Sequence, residues 1–325
     1  MTTKITPGDV VCLEGVDVPS GVRFHYVQNG KTRLRVMIAP AQLSSKQLSP
    51  NQASEARGSI LFQPGRTEFI EKFFETAIDL TSRGFAVLIY DPRGQGFSSR
   101  PLPDPMKCFV RDYEEYCDDL AFVTESFIDD LPKPHIVMGH SMGGVIGLQT
   151  ILSGRLNPAA CAFTAPMLQL QDIDMLGMRT FIKLISLTAL KYKTLPFQVP
   201  KSGHLVPFRS NKLTTDPERY KIWATYFENY PKLWLGAPTF GWISASLKAM
   251  KFVNANAEHL NIPSMITACG ADPIVTPASN EEFARKAGSD FLNVPGALHE
   301  ILLEKDEFRD QFWNAFDTFL DKNGL

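Results

Sequence analysis

"HIVMGHSMGGVIGLQTIL", residues 135–152, sets a short apolar run, a serine between glycines, and a second apolar stretch side by side. "HIVMG" (135–139) has the length and β-branched content of a buried strand, and 142–153 reads as a helix. Ser141 occupies the turn between them. A sharp strand-to-helix turn strains the backbone at the serine and leaves no room for side chains two residues to either side, which accounts for Gly139 and Gly143. Gly139-His140-Ser141-Met142-Gly143 thus fits G-x-S-x-G with the strand before and the helix after that the pattern requires. Such a turn projects a hydroxyl from the sheet edge and places helix N-terminal N–H groups behind it, where they meet developing negative charge. Ser141 is therefore the predicted nucleophile.

Working outward, short apolar strands recur at 59–63, 85–90, 135–139, 161–165, 264–270 and 291–296. Helical segments lie at about 69–83, 112–130, 142–153, 278–288 and 306–321. Strands hydrophobic on both faces, with helices between them, predict a mostly parallel sheet covered on both sides. Before it, 22–27 and 32–39 alternate around Asn29-Gly30 as a hairpin, and 39–58 is a polar, turn-rich loop. The interval between 165 and 264 is too long for a simple crossover and reads as helices: "DMLGMRTFIKLISLTALKY", "DPERYKIWATYFENYP" and "GWISASLKAMKFV". Extra scaffold is one explanation. The preferred one is a helical cap over the carboxyl edge of the sheet, where ligands of open α/β sheets bind.

A serine hydroxyl needs a base, and the base needs an orienting carboxylate. Of six histidines, His204, His259 and His299 follow Ser141. His204 lies in the cap segment and His259 before a strand, whereas His299 follows the last strand at the carboxyl edge, so His299 is the predicted base. His140 is expected to point elsewhere, and His25 and His135 to be structural. Asp272 in "ACGADPIVTP", just past strand 264–270, is the predicted acid, with Asp172 or Asp174 in reserve. Asp290 and Glu300 read as solvated or helix-end charges. The oxyanion N–H groups are expected from Met142 and, through the loop "FQPGRTEF" with Gly65 for close approach, from Arg66. The Arg66 side chain can be read equally as a surface charge or as part of the site. "YDPRGQGFSSRP" (90–101) at the same edge reads as a tight structural loop in which Arg93 pairs with Asp91 or a buried carbonyl.

Other chemistries fail on inspection. "GQGFSS" lacks the third glycine of a dinucleotide site, and "HEILL" ends in Leu303 where a zinc protease needs histidine. No cofactor and no metal is expected. A net charge of −2 gives no electrostatic reason to bind nucleic acid. Five scattered cysteines without CxxC spacing suit a reducing, cytoplasmic setting. "MTTKITPGDVVCLEG" has no signal-type apolar region, and "FIKLISLTAL" (181–190) is too short to span a bilayer, so any contact with the inner membrane is expected to be peripheral and through the cap.

"FQPGRTEFIEKF", "LIYDPRGQGFSSRP", "GHSMGG" and "HEILLEKDEFRDQFWNAF" together resemble bacterial lysophospholipases of the monoacylglycerol-lipase branch of the α/β-hydrolases. The resemblance runs from about residue 20 to 321, more loosely over the cap. It implies an α/β-hydrolase fold with an inserted helical cap, Ser141 as nucleophile, Asp272 as acid, His299 as base, and oxyanion N–H groups at Arg66 and Met142. Monoacylglycerol lipases carry His-Gly where this chain has Pro64-Gly65, a form that looks like the lysophospholipase subgroup. The expected organisation is an N-terminal segment 1–58, a core of 59–166 and 250–325, and a cap of 167–249. The expected activity is hydrolysis of single-chain lipid esters. A general carboxylesterase or aminopeptidase on small substrates, an acyltransferase, and a non-enzymatic binding protein with a vestigial site are the alternatives. Met175, Leu176, Met178, Phe181, Ile182, Leu184 and Ile185 suit either an acyl chain or ordinary core.

Overall fold

The computed structural model describes residues 4–42, 56–171, 177–194 and 206–325. Asp172, Asp174, Met175, Leu176, His204, most of the 39–58 loop and the side chain of Met178 lie outside the described residues.

The strands are β1 (Ile5–Pro7), β2 (Arg23–Asn29), β3 (Thr32–Ala39), β4 (Gly58–Gln63), β5 (Phe85–Tyr90), β6 (His135–His140), β7 (Ala160–Thr164), β8 (Ser264–Cys269) and β9 (Asp290–Val294). They form one nine-stranded sheet in the order β1-β2-β3-β5-β4-β6-β7-β8-β9. β1 to β3 join antiparallel, β3 meets β5 antiparallel, and every pairing from β5 through β9 is parallel. The expected parallel sheet is present. β1 was not foreseen, because three residues, one of them a proline, carry too little period-2 signal to be read.

The pleat sorts alternate side chains to opposite faces. Ile60, Phe62, Val87, Ile89, Ile136 and Met138 pack under α1 (Phe74–Ser82) and α8 (Asp306–Lys322), whose Phe312, Phe316 and Leu320 recur at helical spacing. Leu61, Leu88, Val137, Cys161 and Ile266 face α2 (Glu114–Ser126), α3 (Met142–Leu152), α6 (Phe240–Ala255) and α7 (Pro277–Ala287). The central strands β4 and β5 are buried along their whole length, which is why they read as unbroken apolar runs.

Between β7 and β8 lie α4 (Met178–Ser186), α5 (Pro217–Asn229) and α6. α5 starts where Asp216 Oδ1 accepts the Glu218 and Arg219 N–H groups, both at 2.9 Å, with Pro217 pre-set for the first turn. Its Tyr226 and Phe227 pack on Phe69 from the loop after β4, joining this layer to the site edge. α6 runs unbroken across the expected boundary at 249/250. Its Ala245, Ala249 and Val253, at helical spacing, share the core with α3.

One buried ion cluster fixes the loops at the carboxyl edge. Arg35, fully buried, donates to Glu71 at 2.7 and 2.8 Å and to Asp91 at 2.8 Å. Asp91 also accepts the N–H of Ile70 (2.9 Å) and of Phe97 (2.8 Å), so the segments after β4 and β5 are tied to one carboxylate. A Cβ at Gly96 would lie 2.1 Å from that carboxylate, which explains a glycine in "GQGF". Arg93 pairs with Asp119 of α2 (2.5 and 2.7 Å) and not with Asp91, because Arg35 has already taken Asp91.

Candidate active site

β6 ends, the chain turns within one residue, and α3 begins. Ser141 holds that turn at φ 52° and ψ −116°. Few L-residues adopt this conformation, and it persists because its surroundings over-determine it. Its N–H donates to Thr164 O of β7, and its carbonyl accepts from Met167 and Gly144, all at 3.0 Å. A Cβ at Gly143 would stand 2.0 Å from Gln63 O, and one at Gly139 3.0 Å from the same oxygen. The flanking glycines therefore admit the end of β4 against the elbow.

The structure brings Ser141, His299 and Asp272 together. Ser141 Oγ–H donates to His299 Nε2 at 2.9 Å, and His299 Nδ1–H donates to Asp272 Oδ2 at 2.6 Å. The other carboxylate oxygen accepts the N–H groups of Ile274 (2.7 Å) and Val275 (3.0 Å), so the Asp272 side chain cannot rotate without losing both. Gln171 donates to the Asp272 carbonyl at 2.6 Å. All three residues are nearly enclosed, at 9%, 4% and 4% exposure in the order Ser141, His299, Asp272. Neither His135, whose Nε2 faces Leu131 O at 3.1 Å, nor His259, which ends a short 3-10 turn, approaches the serine.

The loop after β4 borders this site. Gly65 N–H donates to the Glu68 carboxylate and Thr67 N–H to Gln95 Oε1 (2.6 Å), while Gln95 Nε2 donates to Gly65 O (2.9 Å). Among the described residues no hydrogen bond uses the N–H of Arg66, or that of Met142 at the start of α3. A Cβ at Gly65 would come 3.2 Å from His140 O, which measures how closely this loop abuts the elbow. The "YDPRGQGF" loop thus acts through Gln95, which pins the Gly65–Thr67 backbone.

Beside the triad lies a polar cluster that sequence reading missed. Glu300, expected to be solvated, is 5% exposed. The correction has a physical reason: the Lys72 ammonium, distant in sequence, reaches Glu300 at 2.7 Å and Glu68 at 2.6 Å. Burial raises the Glu68 carboxyl and Glu300 raises it further. For Glu300 burial acts upward as well, but the Lys72 ammonium outweighs it and holds the carboxyl low. His140 does not point away from the site. Its Nδ1 lies 3.1 Å from Thr164 O, its ring is 4.7 Å from that of His299, and its Nε2 is 3.4 Å from Glu300 Oε2. Burial lowers it to about 3 against the upward pull of Glu300, so His140 is neutral at pH 7. Glu68, His140 and Glu300 offer ligand atoms within 4.8 Å of one another, an arrangement with no signature in sequence spacing. Lys72 Nζ bonds both carboxylates, so the cation that balances them is an ammonium. Lys72→Met should destabilise the protein by about 3–5 kcal/mol, because it strands buried carboxylates. Chemical denaturation checks this, and a loss below about 1 kcal/mol would mean that the cluster relaxes freely.

Ser141 and His299 open into a cavity of about 210 Å³ with Arg66, Met167, Trp223 and Trp242 in its wall. A larger cavity of about 950 Å³ lies between α4 and α6 and shares Leu170 with the first. Among the described residues no helix is long and apolar enough to cross a membrane.

A family model named Hydrolase_4 and described as serine aminopeptidase, S33, matches residues 54–306. Lysophospholipase L2 of Escherichia coli is 30% identical over 286 residues, covering 81% of this chain and 80% of that protein. Probable lysophospholipase L2 of Haemophilus influenzae is 26% identical, covering 82% and 85%. The crystal structure of a soluble variant of the Saccharomyces cerevisiae monoglyceride lipase, in complex with a substrate analogue, superposes with a TM-score of 0.73. It is 21% identical and covers 97% of this chain and 99% of that one. The likeness assigns the α/β-hydrolase fold, as the motifs implied.

Proposed function

Since the chain belongs to the Hydrolase_4 family of α/β-hydrolases, we propose that it is a serine hydrolase cleaving carboxylic esters of single-chain lipids, of lysophospholipase or monoacylglycerol-lipase type. The observation that carries this reading is the unbroken line from Asp272 through His299 to a serine hydroxyl held on a strained elbow. The helical layer between β7 and β8 is read as the cap.

In this mechanism His299 Nε2 takes the Ser141 proton as Oγ attacks the ester carbonyl. Negative charge collects on the carbonyl oxygen, where the Arg66 and Met142 N–H groups stabilise it. Collapse breaks the bond to the alcohol oxygen, which leaves with the proton from His299, and the acyl group stays on Ser141. Water then gives His299 a proton, attacks the acyl carbon and releases the fatty acid, and the proton returns to Ser141. Asp272 keeps Nδ1 protonated and balances the imidazolium at each stage.

Two further features support a lipid. The site cavity falls below the roughly 300–1,000 Å³ usual for ligand pockets, so a long acyl chain must extend beyond it, and the adjoining cavity past Leu170 provides space. On α4 and the turn after it, Phe181 (54%), Leu184 (61%) and Leu187 (78%) are exposed beside Lys183 and Lys191, a face suited to peripheral contact with lipid aggregates. The five free thiols, four of them buried, support a reducing, cytoplasmic compartment.

The aminopeptidase reading, favoured by the family's description, needs a free carboxylate to hold a substrate ammonium. Glu68 and Glu300 line the cavity, but Lys72 already occupies both. Purified protein should therefore show its highest kcat/KM on lysophosphatidylcholine or monoacylglycerol, less on short p-nitrophenyl esters, and none on an aminoacyl-naphthylamide. Faster turnover of the naphthylamide would reverse the assignment.

A further inference from the structure

Arg66 contributes a side chain to the site as well as a backbone N–H. Arg66 lies half-buried in the wall of the Ser141 cavity, with its guanidinium 5.9 Å from the Trp242 ring centre. Arg35, Arg93 and Arg309 each face a carboxylate at 2.5–2.8 Å. Arg66 has no ion-pair partner among the described residues, and its Nη1 donates to a neutral acceptor, Gly236 O, at 3.1 Å. The thiol of Cys108, also close to it, is pushed up by burial to about 11 although Arg66 draws it down, so it carries no charge at neutral pH. Arg100, likewise without a carboxylate, directs its N–H groups at three carbonyls, Gly94 O, Gly96 O and Lys232 O. Beyond the Gly236 carbonyl and the Cys108 thiol, Arg66 thus has no anion for its fork of donors at the wall of a substrate cavity. Lys212, exposed at the same cavity, also lacks an ion-pair partner among the described residues.

A partly desolvated guanidinium without an anion is unfavourable in the free protein, and binding a neutral glyceride would desolvate it further. A phosphodiester reverses that sign, because its two anionic oxygens match the planar fork. In a lysophospholipid only the glycerol unit separates the scissile ester from the phosphate. One residue can therefore present its N–H to the oxyanion and its side chain to the phosphodiester. We infer that the Arg66 guanidinium, assisted by Lys212, binds the headgroup phosphate of a lysophospholipid and sets a preference for phospholipid over neutral glyceride. This deepens the lipid-esterase reading and rests on it.

The test compares kcat/KM for lysophosphatidylcholine and for monoacylglycerol of the same acyl chain, each below its aggregation threshold. Arg66→Met should reduce the ratio of the two by about 10- to 100-fold, the loss of charge-assisted hydrogen bonds, and Arg66→Lys should restore part of it. Lys212→Met should reduce it by a few-fold, an effect that fades with added salt. Glycerophosphocholine should compete with a p-nitrophenyl ester in the wild-type enzyme and lose that ability in Arg66→Met. Wild-type enzyme that cleaves neither lipid overturns the lipid-esterase reading and this inference with it. If the wild type cleaves both lipids, Arg66→Met lowers them equally and glycerophosphocholine does not compete, this inference alone fails. Should Arg66→Met not fold, an unchanged ratio in Lys212→Met together with absent competition in the wild type has the same force.

Discussion

Ser141→Ala is expected to lower kcat on any ester by about 10⁶-fold, the scale found when a triad nucleophile is removed, and to abolish labelling by a fluorophosphonate probe. The substitution deletes one oxygen and leaves the elbow intact. Alanine keeps the Cβ, so the strain at φ 52° is unchanged, and the backbone bonds to Thr164, Met167 and Gly144 persist. Among the described residues the only hydrogen bond of the side chain is the one to His299. Thermal stability should therefore shift by no more than about 1 kcal/mol, since one modest hydrogen bond is lost. An inactive variant that also melts far lower would point to a structural serine. A variant that retains turnover or labelling would place the nucleophile elsewhere and remove the basis for the mechanism.

How much of this was legible beforehand depended on whether the signal was local. The parallel strands could be read because each is buried on both faces, and a two-sided apolar run is a property of the run itself. The elbow could be read because Gly139 and Gly143 register a collision with β4 in their own identity. Chain order placed Asp272 and His299 at the carboxyl edge, and the fold closes that line with hydrogen bonds. Partner choice across the sequence could not be read. Glu68 and Lys72 stand four residues apart in the sequence, and nothing near Glu300 indicates that Lys72 will meet it. Arg93 stands next but one to Asp91, yet the carboxylate it meets belongs to α2. The start of α6 reads like the other helices of the long interval, and only packing reveals that it shares the core with α3.

Asp272→Asn is expected to reduce kcat by about 10⁴-fold with the fold retained. The size of the effect follows from the second oxygen of the carboxylate. Oδ1 accepts two backbone N–H groups, from Ile274 and Val275, and an asparagine must keep its carbonyl oxygen there or leave both donors unsatisfied in a buried site. Its amide nitrogen then faces His299 Nδ1. Two N–H donors cannot share that contact, so Nδ1 gives up its proton and the imidazole carries it on Nε2, toward Ser141. In that tautomer the base has no lone pair for the serine hydroxyl, and the imidazolium formed during attack has lost its counter-charge. Fluorophosphonate labelling should slow in parallel with ester hydrolysis, because both need the same deprotonation. Asp272→Ala removes the constraint on the tautomer along with the carboxylate, so its defect should be no deeper than that of asparagine despite the larger deletion. A loss of less than about tenfold in Asp272→Asn would instead give the orienting role to another acid, with Asp172 and Asp174 next in line, since a triad aspartate cannot be neutralised so cheaply.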